Sequence, residues 1–474
     1  MVCAGCGHVV AAGEPYPFRC PNADRDDDID HVLKRAFDPG IRDAVPDWHA
    51  LFLGPEPNPF LKFRQLFHSY HTALAAGLTD DDYVGIVRDL DEAVTSVDGR
   101  GFRVTPFARS GPLSERLGFT APGAVWVKNE TGNVSGSHKA RHMMGVMIWL
   151  RVVERLGWVD PAEAPPLAIA SCGNAALAAA VVARAAGRAL DVFVPPDAHP
   201  NVLRRLMDLE ARLVSCPRVE NVPGDPCYHR FREAVAGGAL PFTCQGNENG
   251  LVIEGGETLA YEMIATLLQE EVALDRVFAQ VGGGALASAC VQGFGAAQKL
   301  GLVSEVPRPH LVQTEGAYPL QRAFSKLVDL GLERLPDGSK GNGSRPSTLG
   351  ARVDLLRRRL GPAAIQELLE RAAHHRSEFM WPWETPPESI AHGILDDETY
   401  DWFALVSAML ANGGSPVVAP EALLIEANEM IRATTGIPAD HTGTSGLAGF
   451  MQLVKREPIS AVENVAVLIT GVER

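Results

Sequence analysis

Lysine is scarce in this chain, with eight residues in 474 against thirty-five arginines. An amine is therefore not the default surface cation here, and a lysine in an unusual setting stands out. Net positive charge is lacking too: the formal charge is −15 and the isoelectric point lies near 5.4. That excludes a nucleic-acid partner, because phosphate backbones are held by clustered positive charge. Long apolar runs are missing. The stretch Ala175 to Ala183 stops well short of the roughly 20 residues a membrane span requires. No basic segment followed by an apolar core opens the chain, so the sequence predicts a cytoplasmic protein with no membrane association. Eight cysteines, several inside apolar segments, exclude a disulfide framework. No internal repeat is evident.

What remains is ordinary globular composition, 46% hydrophobic and 21% charged, long enough for two or three domains. The most informative stretch is WVKNETGNVSGSHKARH, residues 126–142. A short strand around Val125 to Val127 runs through a Gly/Ser/Asn-rich turn into an apolar helix, with Lys139 at the helix start. Such a lysine is either an exposed cation in a first turn, where the helix dipole disfavours it, or an amine placed for its chemistry. Arginine cannot lose its proton or form an imine; lysine can. Met143, Val146, Met147, Leu150, Val153 and Leu156 then recur at helical spacing, as core packing requires.

The N-terminus places Cys3, Cys6 and Cys20 in a zinc-ribbon-like rhythm. A paired fourth cysteine would fall at position 23, which is Ala23; Asp24 or His8 could stand in. Structural zinc sites are closed by four good ligands, so the spacing predicts a degenerate ribbon and no metal. From about Asp24 to Asp98 the chain is acidic and aromatic-rich, and PNPFLKFRQLFHSYHTALAAG reads as a loop followed by one amphipathic helix. Residues 336–350 are rich in Gly, Ser and Pro and read as a surface loop; WPWETPPE (381–388) follows no periodicity.

Beyond Lys139, strands and helices alternate. LAIAS (167–171) precedes an Ala-rich helix from Asn174 to Gly187; LDVFV (190–194) precedes a helix over 201–211 leading into Arg212 to Cys216. Repeated βα units predict an α/β fold with mostly parallel sheets covered by helices, and ligands then bind where strands end. Three such turns stand out. SCGNAA (171–176) opens a helix with Ser171 and Asn174, as simple N-caps or as anion ligands. VGGGALAS (281–288) can curl so that successive N–H groups face a phosphate, although neither the dinucleotide fingerprint nor the P-loop pattern fits. VAVLITGVER (465–474) is a strand ending at Thr470 and Gly471.

In this order, a Ser-x-Lys turn, Ser-x-Gly-Asn, a triple-glycine turn and a strand ending Thr-Gly resemble fold-type II pyridoxal-phosphate enzymes, over roughly residues 100–474. Within that group the chain is most similar to threonine synthases, through GETLAYEMI (256–264) and the cysteine-rich start. Ser-His-Lys at 137–139 departs from them, since most members have Phe before the lysine, and His138 resembles the tryptophan synthase β subunit instead.

The resemblance implies two mostly parallel sheets, a large cofactor-binding domain of residues 101–139 and 263–474, a small domain of 140–262, and an N-terminal lead of 1–100. It implies pyridoxal 5'-phosphate held by Lys139 through an imine. Asn174 would bond the cofactor's 3′-oxygen, and Ser171 with Asn174 the substrate carboxylate. Gly282, Gly283, Gly284, Ala285 and Leu286 would cradle the phosphate, and Thr470 would face the pyridine nitrogen. A neutral hydroxyl there makes the ring a weaker electron sink than a carboxylate would. The implied function is a lyase, a threonine-synthase-like homodimer acting on an amino acid with a β- or γ-leaving group. A β-replacing synthase, a serine/threonine dehydratase and a non-catalytic binding protein of the same fold are the alternatives.

Overall fold

A computed structural model describes residues 1–23, 25–218, 224–335 and 346–473 of the chain. It holds three sheets. β1 (Val2–Cys3) and β2 (Leu33–Lys34) form a small antiparallel pair. β3 (Phe107–Arg109), β4 (Ala124–Asn129), β9 (Arg276–Gln280), β10 (Arg308–Thr314), β11 (Ser415–Ala419) and β12 (Asn464–Ile469) build a six-stranded sheet in the order β11-β10-β9-β12-β4-β3. Only β3 runs antiparallel to its neighbour. β5 (Leu167–Ala170), β6 (Leu190–Val194), β7 (Arg212–Ser215) and β8 (Leu240–Pro241) form a parallel sheet in the order β7-β6-β5-β8.

The six-stranded sheet is buried on both faces, which explains why its strands read as near-continuous apolar runs. Val125, Val127, Phe278, Val465 and Val467 face one core. Trp126, Val277, Ala279, Ala466 and Leu468 alternate with them and face the other. The expected fold class, two mostly parallel sheets under helices, is the one observed.

Topology then gathers the three turns of the large sheet. β12 lies between β4 and β9, pairing Val465 with both Val125 and Arg276. The segment carrying Lys139, the triple glycine and Thr470 therefore leave the same edge of three adjacent strands, where open parallel sheets bind ligands.

One expectation is corrected. The amphipathic stretch after Asn58 is not one helix but Pro59–Lys62, a 3-10 turn Arg64–Leu66, and His68–Ala75. Two distant partners claim its backbone: half-buried Arg35 donates to the Leu66 carbonyl, and buried Glu254 accepts from His68 N–H. The tryptophans of 381–388 have a role that no periodicity could show. They flank Arg322, whose guanidinium carbon lies 3.7 Å from the Trp381 ring centre and 5.1 Å from that of Trp383. Residues 336–345 of the expected surface loop, and Asp24, lie outside the described residues. Among those described, no helix is long and apolar enough to cross a membrane.

Candidate active site

Lys139 is the first residue of the Lys139–Arg155 helix. Its position is fixed two residues later by Arg141, which is wholly buried. Arg141 Nε donates to Glu130 Oε2 at 2.8 Å, Nη1 to Glu262 Oε1 at 2.6 Å and to Thr258 Oγ1 at 2.9 Å, and Nη2 to Thr105 Oγ1 at 3.0 Å. Lys128, also fully buried, donates to Glu262 and to the Thr105 carbonyl at 2.9 Å. Two cations thus meet two carboxylates, and nearby hydroxyls complete the hydrogen bonding, as burial demands. Lys128 is consumed by this network; Lys139, the other amine of the stretch, takes no part in it. The Lys139–Arg155 helix also touches the Val252–Gln269 helix backbone to backbone: a Cβ on Gly255 would strike the Arg141 carbonyl.

The turn before Lys139 is strapped to the end of β12. Ser137 bridges to Gly471, His138 N–H donates to the Thr470 carbonyl at 3.3 Å, and Val472 N–H to the Gly136 carbonyl at 3.2 Å. Asn174 arrives from the other sheet: a Cβ on Gly471 would stand 3.0 Å from its Nδ2. Gly173, not Ser171 or Asn174, occupies the N-cap of the Asn174–Ala185 helix, and no side chain caps it. Ser171 Oγ accepts from Gly173 N–H at 3.3 Å. The Asn174 amide is therefore spared from capping.

Thr470 is buried, and its hydroxyl oxygen accepts from Gln280 Nε2. That nitrogen also donates to the Gly443 carbonyl at 3.1 Å, which fixes the orientation of the amide. Thr470 is left with an O–H to donate. Ser137 Oγ, His138 Nε2 and His142 Nε2 are buried polar atoms with no hydrogen-bond partner among the described residues. Burial, with the Lys139 charge second, holds the His138 imidazolium well below its usual range and brings His142 down to about 3, so both rings are neutral.

Gly282, Gly283 and Gly284 link β9 to the Ala285–Lys299 helix, with Gly284 at φ +105° and no side chain capping the helix start. The Asp396 carboxylate stands against this loop. A Cβ on Gly282 would collide with it. Burial pushes the Asp396 carboxyl up to about 6, against the opposing pull of Lys139. Burial likewise pushes Asp401 up to about 7, although it receives the Gly246 N–H. Asp401 N–H in turn holds the Gly283 carbonyl at 3.0 Å.

The turns picked out in the sequence are thus brought to one place. Lys139, Thr470 and Asn174 meet around Gly471, while Asp396 ties the Lys139 charge to the glycine loop. No local pattern marks Asp396, Asp401 or Gln280 in the sequence. For the buried network a partial signal existed: Lys128 and Glu262 are charges set against apolar runs.

A glycine loop opening an uncapped helix, a hydroxyl at Thr470 with its O–H to donate, an Asn174 amide not used in capping and a primary amine fit a phosphorylated heteroaromatic aldehyde. The fold and this site define a fold-type II enzyme. The chain belongs to the pyridoxal-phosphate dependent enzyme family, whose profile matches residues 100–366, and its cofactor is pyridoxal phosphate.

Among curated proteins it is similar to the threonine synthase of Methanocaldococcus jannaschii, 22% identical over 386 residues, which is 81% of this chain and 77% of that protein. It also matches the biosynthetic L-threonine dehydratase of Haemophilus influenzae, 30% identical over 220 residues, 44% of this chain and 36% of that one. Among solved structures, diaminopropionate ammonia lyase from Escherichia coli superposes with a TM-score of 0.56 at 12% identity, covering 89% of this chain and 92% of that one. A fungal L-serine ammonia-lyase from Rhizomucor miehei does so with a TM-score of 0.53 at 16% identity, covering 78% and 94%.

Proposed function

We propose that this chain is a lyase that carries out elimination or replacement at the β- or γ-carbon of an amino acid, with threonine-synthase-like chemistry as its leading form. The observation that carries this reading is the Thr470 hydroxyl, presented by Gln280 at the end of β12. Bound pyridoxal phosphate supplies an electron sink that weakens the bonds at the substrate Cα. Lys139 would hold the cofactor and, once released from it, move the Cα proton. The N–H groups of Gly282, Gly283, Gly284, Ala285 and Leu286 would take the phosphate. Asn174 would bond the ring's 3′-oxygen, and Ser171 with Asn174 the substrate carboxylate. Thr470 can donate a hydrogen bond to a ring nitrogen but places no negative charge there to keep it protonated. Charge developing at Cα is then discharged by expelling a leaving group rather than by transamination.

A second reading, a dehydratase or ammonia-lyase, is favoured by the acidity around the loop. Burial is the main cause that raises Asp396 and Cys172, beside Ser171, and acidic neighbours add to it, Asp397 and Asp225 at the first and Asp225 and Asp197 at the second. Such surroundings repel a phosphorylated side chain and suit a hydroxyl or amine leaving group. Purified protein is to be offered O-phosphohomoserine, O-acetylserine, serine, threonine and 2,3-diaminopropionate. Phosphate release supports the threonine-synthase-like form, and 2-oxo acid with ammonia supports the second. No turnover and no spectral shift with any of them would sink both.

A further inference from the structure

We propose that Cys3, Cys6, Cys20 and His31 form a closed structural zinc site. One ligand atom from each lies within 4.8 Å of all the others. Cys6 and Cys20 sulfurs are 3.7 Å apart, and Cys3 Sγ is 3.6 Å from His31 Nδ1. A tetrahedron with Zn–S bonds of about 2.3 Å and a Zn–N bond of about 2.0 Å has edges of about 3.5–3.8 Å, so these separations already suit one central ion. They do not suit a disulfide, whose sulfurs lie about 2.05 Å apart; all three cysteines are free.

Local structure arranges the set. β1 carries Cys3, and its pairing with β2, Cys3 opposite Leu33, brings His31 alongside. Cys6 N–H points at Cys3 Sγ at 3.5 Å, Asn22 N–H at Cys20 Sγ at 3.4 Å, and Asn22 Nδ2 at Cys6 Sγ at 3.4 Å. Donors directed at sulfur favour the thiolates a metal needs. Asp27 accepts from His31 Nε2 at 3.2 Å, which presents Nδ1 to the sulfurs, the outer partner a ligating histidine requires. The expectation of an incomplete ribbon rested on a fourth cysteine at 23, but the fourth ligand is a histidine eleven residues beyond Cys20. His8 contributes its carbonyl to Cys3 N–H instead. Three sulfurs and one imidazole in a closed tetrahedron select zinc over the oxygen-seeking cations.

The lobe is not free-standing. Trp149 Nε1, on the helix that starts at Lys139, donates to the Pro15 carbonyl at 2.8 Å, and Gly250 N–H to the Phe18 carbonyl at 2.8 Å. Asp30, next to His31, receives Trp402 Nε1 and Arg376 Nε, each at 3.2 Å. The ion would brace a clamp spanning the Lys139 helix and the Trp402 segment.

The test is metal analysis of the full-length protein. One zinc per chain is expected as purified, falling in His31→Ala and unchanged in His8→Ala. Asp27→Asn, at the rim of the lobe, is expected to weaken zinc retention about tenfold to hundredfold against a competing chelator. After exchange with cobalt, intense thiolate-to-cobalt absorption with tetrahedral ligand-field bands is expected. Zinc far below one per chain together with no cobalt spectrum would overturn the site. So would alkylation of Cys3, Cys6 and Cys20 at the same rate in zinc-loaded and chelator-stripped protein, a measurement that needs no variant.

Discussion

Asp396 sets its carboxylate against Gly282, where an added Cβ would collide with it. An anion therefore already stands at the loop proposed to cradle a cofactor phosphate, and the two like charges repel. Asp396→Asn keeps the size and removes the charge. The variant is expected to bind pyridoxal phosphate about tenfold more tightly, worth roughly 1.4 kcal/mol, in an absorbance titration of cofactor-free protein. Weaker binding would show that Asp396 supports the cofactor rather than competing with it.

Lys139→Ala is expected to abolish the visible absorption of covalently held cofactor and to lower turnover at least about a thousandfold, since both cofactor attachment and proton transfer are lost. Borohydride reduction of the wild type followed by peptide mapping should place the label on Lys139. A label on Lys128 would contradict its full burial and its bond to Glu262.

Arg141→Met removes one partner of Glu130 and Glu262 and leaves two buried carboxylates with Lys128 alone. Breaking such a set costs about 3–5 kcal/mol, read as a lower urea midpoint. Because the same side chain anchors the turn before Lys139, cofactor retention should fall with it.

Asp401 provides a pH test. Its carboxyl is raised by burial from 3.8 in the unfolded chain to about 7 in the fold. Between those values the folded protein keeps a proton that the unfolded chain has lost. The stability this group contributes is fully present below about 3.8 and is lost as pH rises through about 7. Asp401→Asn should flatten the fall in urea midpoint between pH 5 and pH 8. An unchanged slope would place the titration elsewhere.

On the proposed placement of Thr470, Thr470→Asp would put a negative charge beside the ring nitrogen and favour its protonated form. The variant should keep bound cofactor, lose most turnover with the true substrate and yield more transamination product. Unchanged spectra and product partition in a folded variant would mean that Thr470 only caps β12.

The turns at Lys139, Asn174, Gly282 and Thr470 could be read locally, because each sits where an apolar run stops and small or hydroxylated residues begin. Their meeting around Gly471 follows from where β12 inserts, which no local pattern encodes. Asp396 and Asp401 come from a segment without periodicity. His31 hid because a ligand needs only to reach the metal, not to repeat a spacing. The broken helix after Asn58 looked continuous because its apolar stripe persists through the breaks. What interrupts it is Arg35 and Glu254, far away in sequence and invisible to a window.

The central place of β12 also orders events in the life of the chain. Val465 completes the sheet by slotting between strands made hundreds of residues earlier, so until a ribosome has released that segment β4 and β9 present open, sticky edges to the cell. A nascent chain stalled before Asn464 would hold every other strand of the sheet and still bind no cofactor. Pyridoxal phosphate captured during translation should accordingly appear only with full-length product, and shorter intermediates should be the species that chaperones hold.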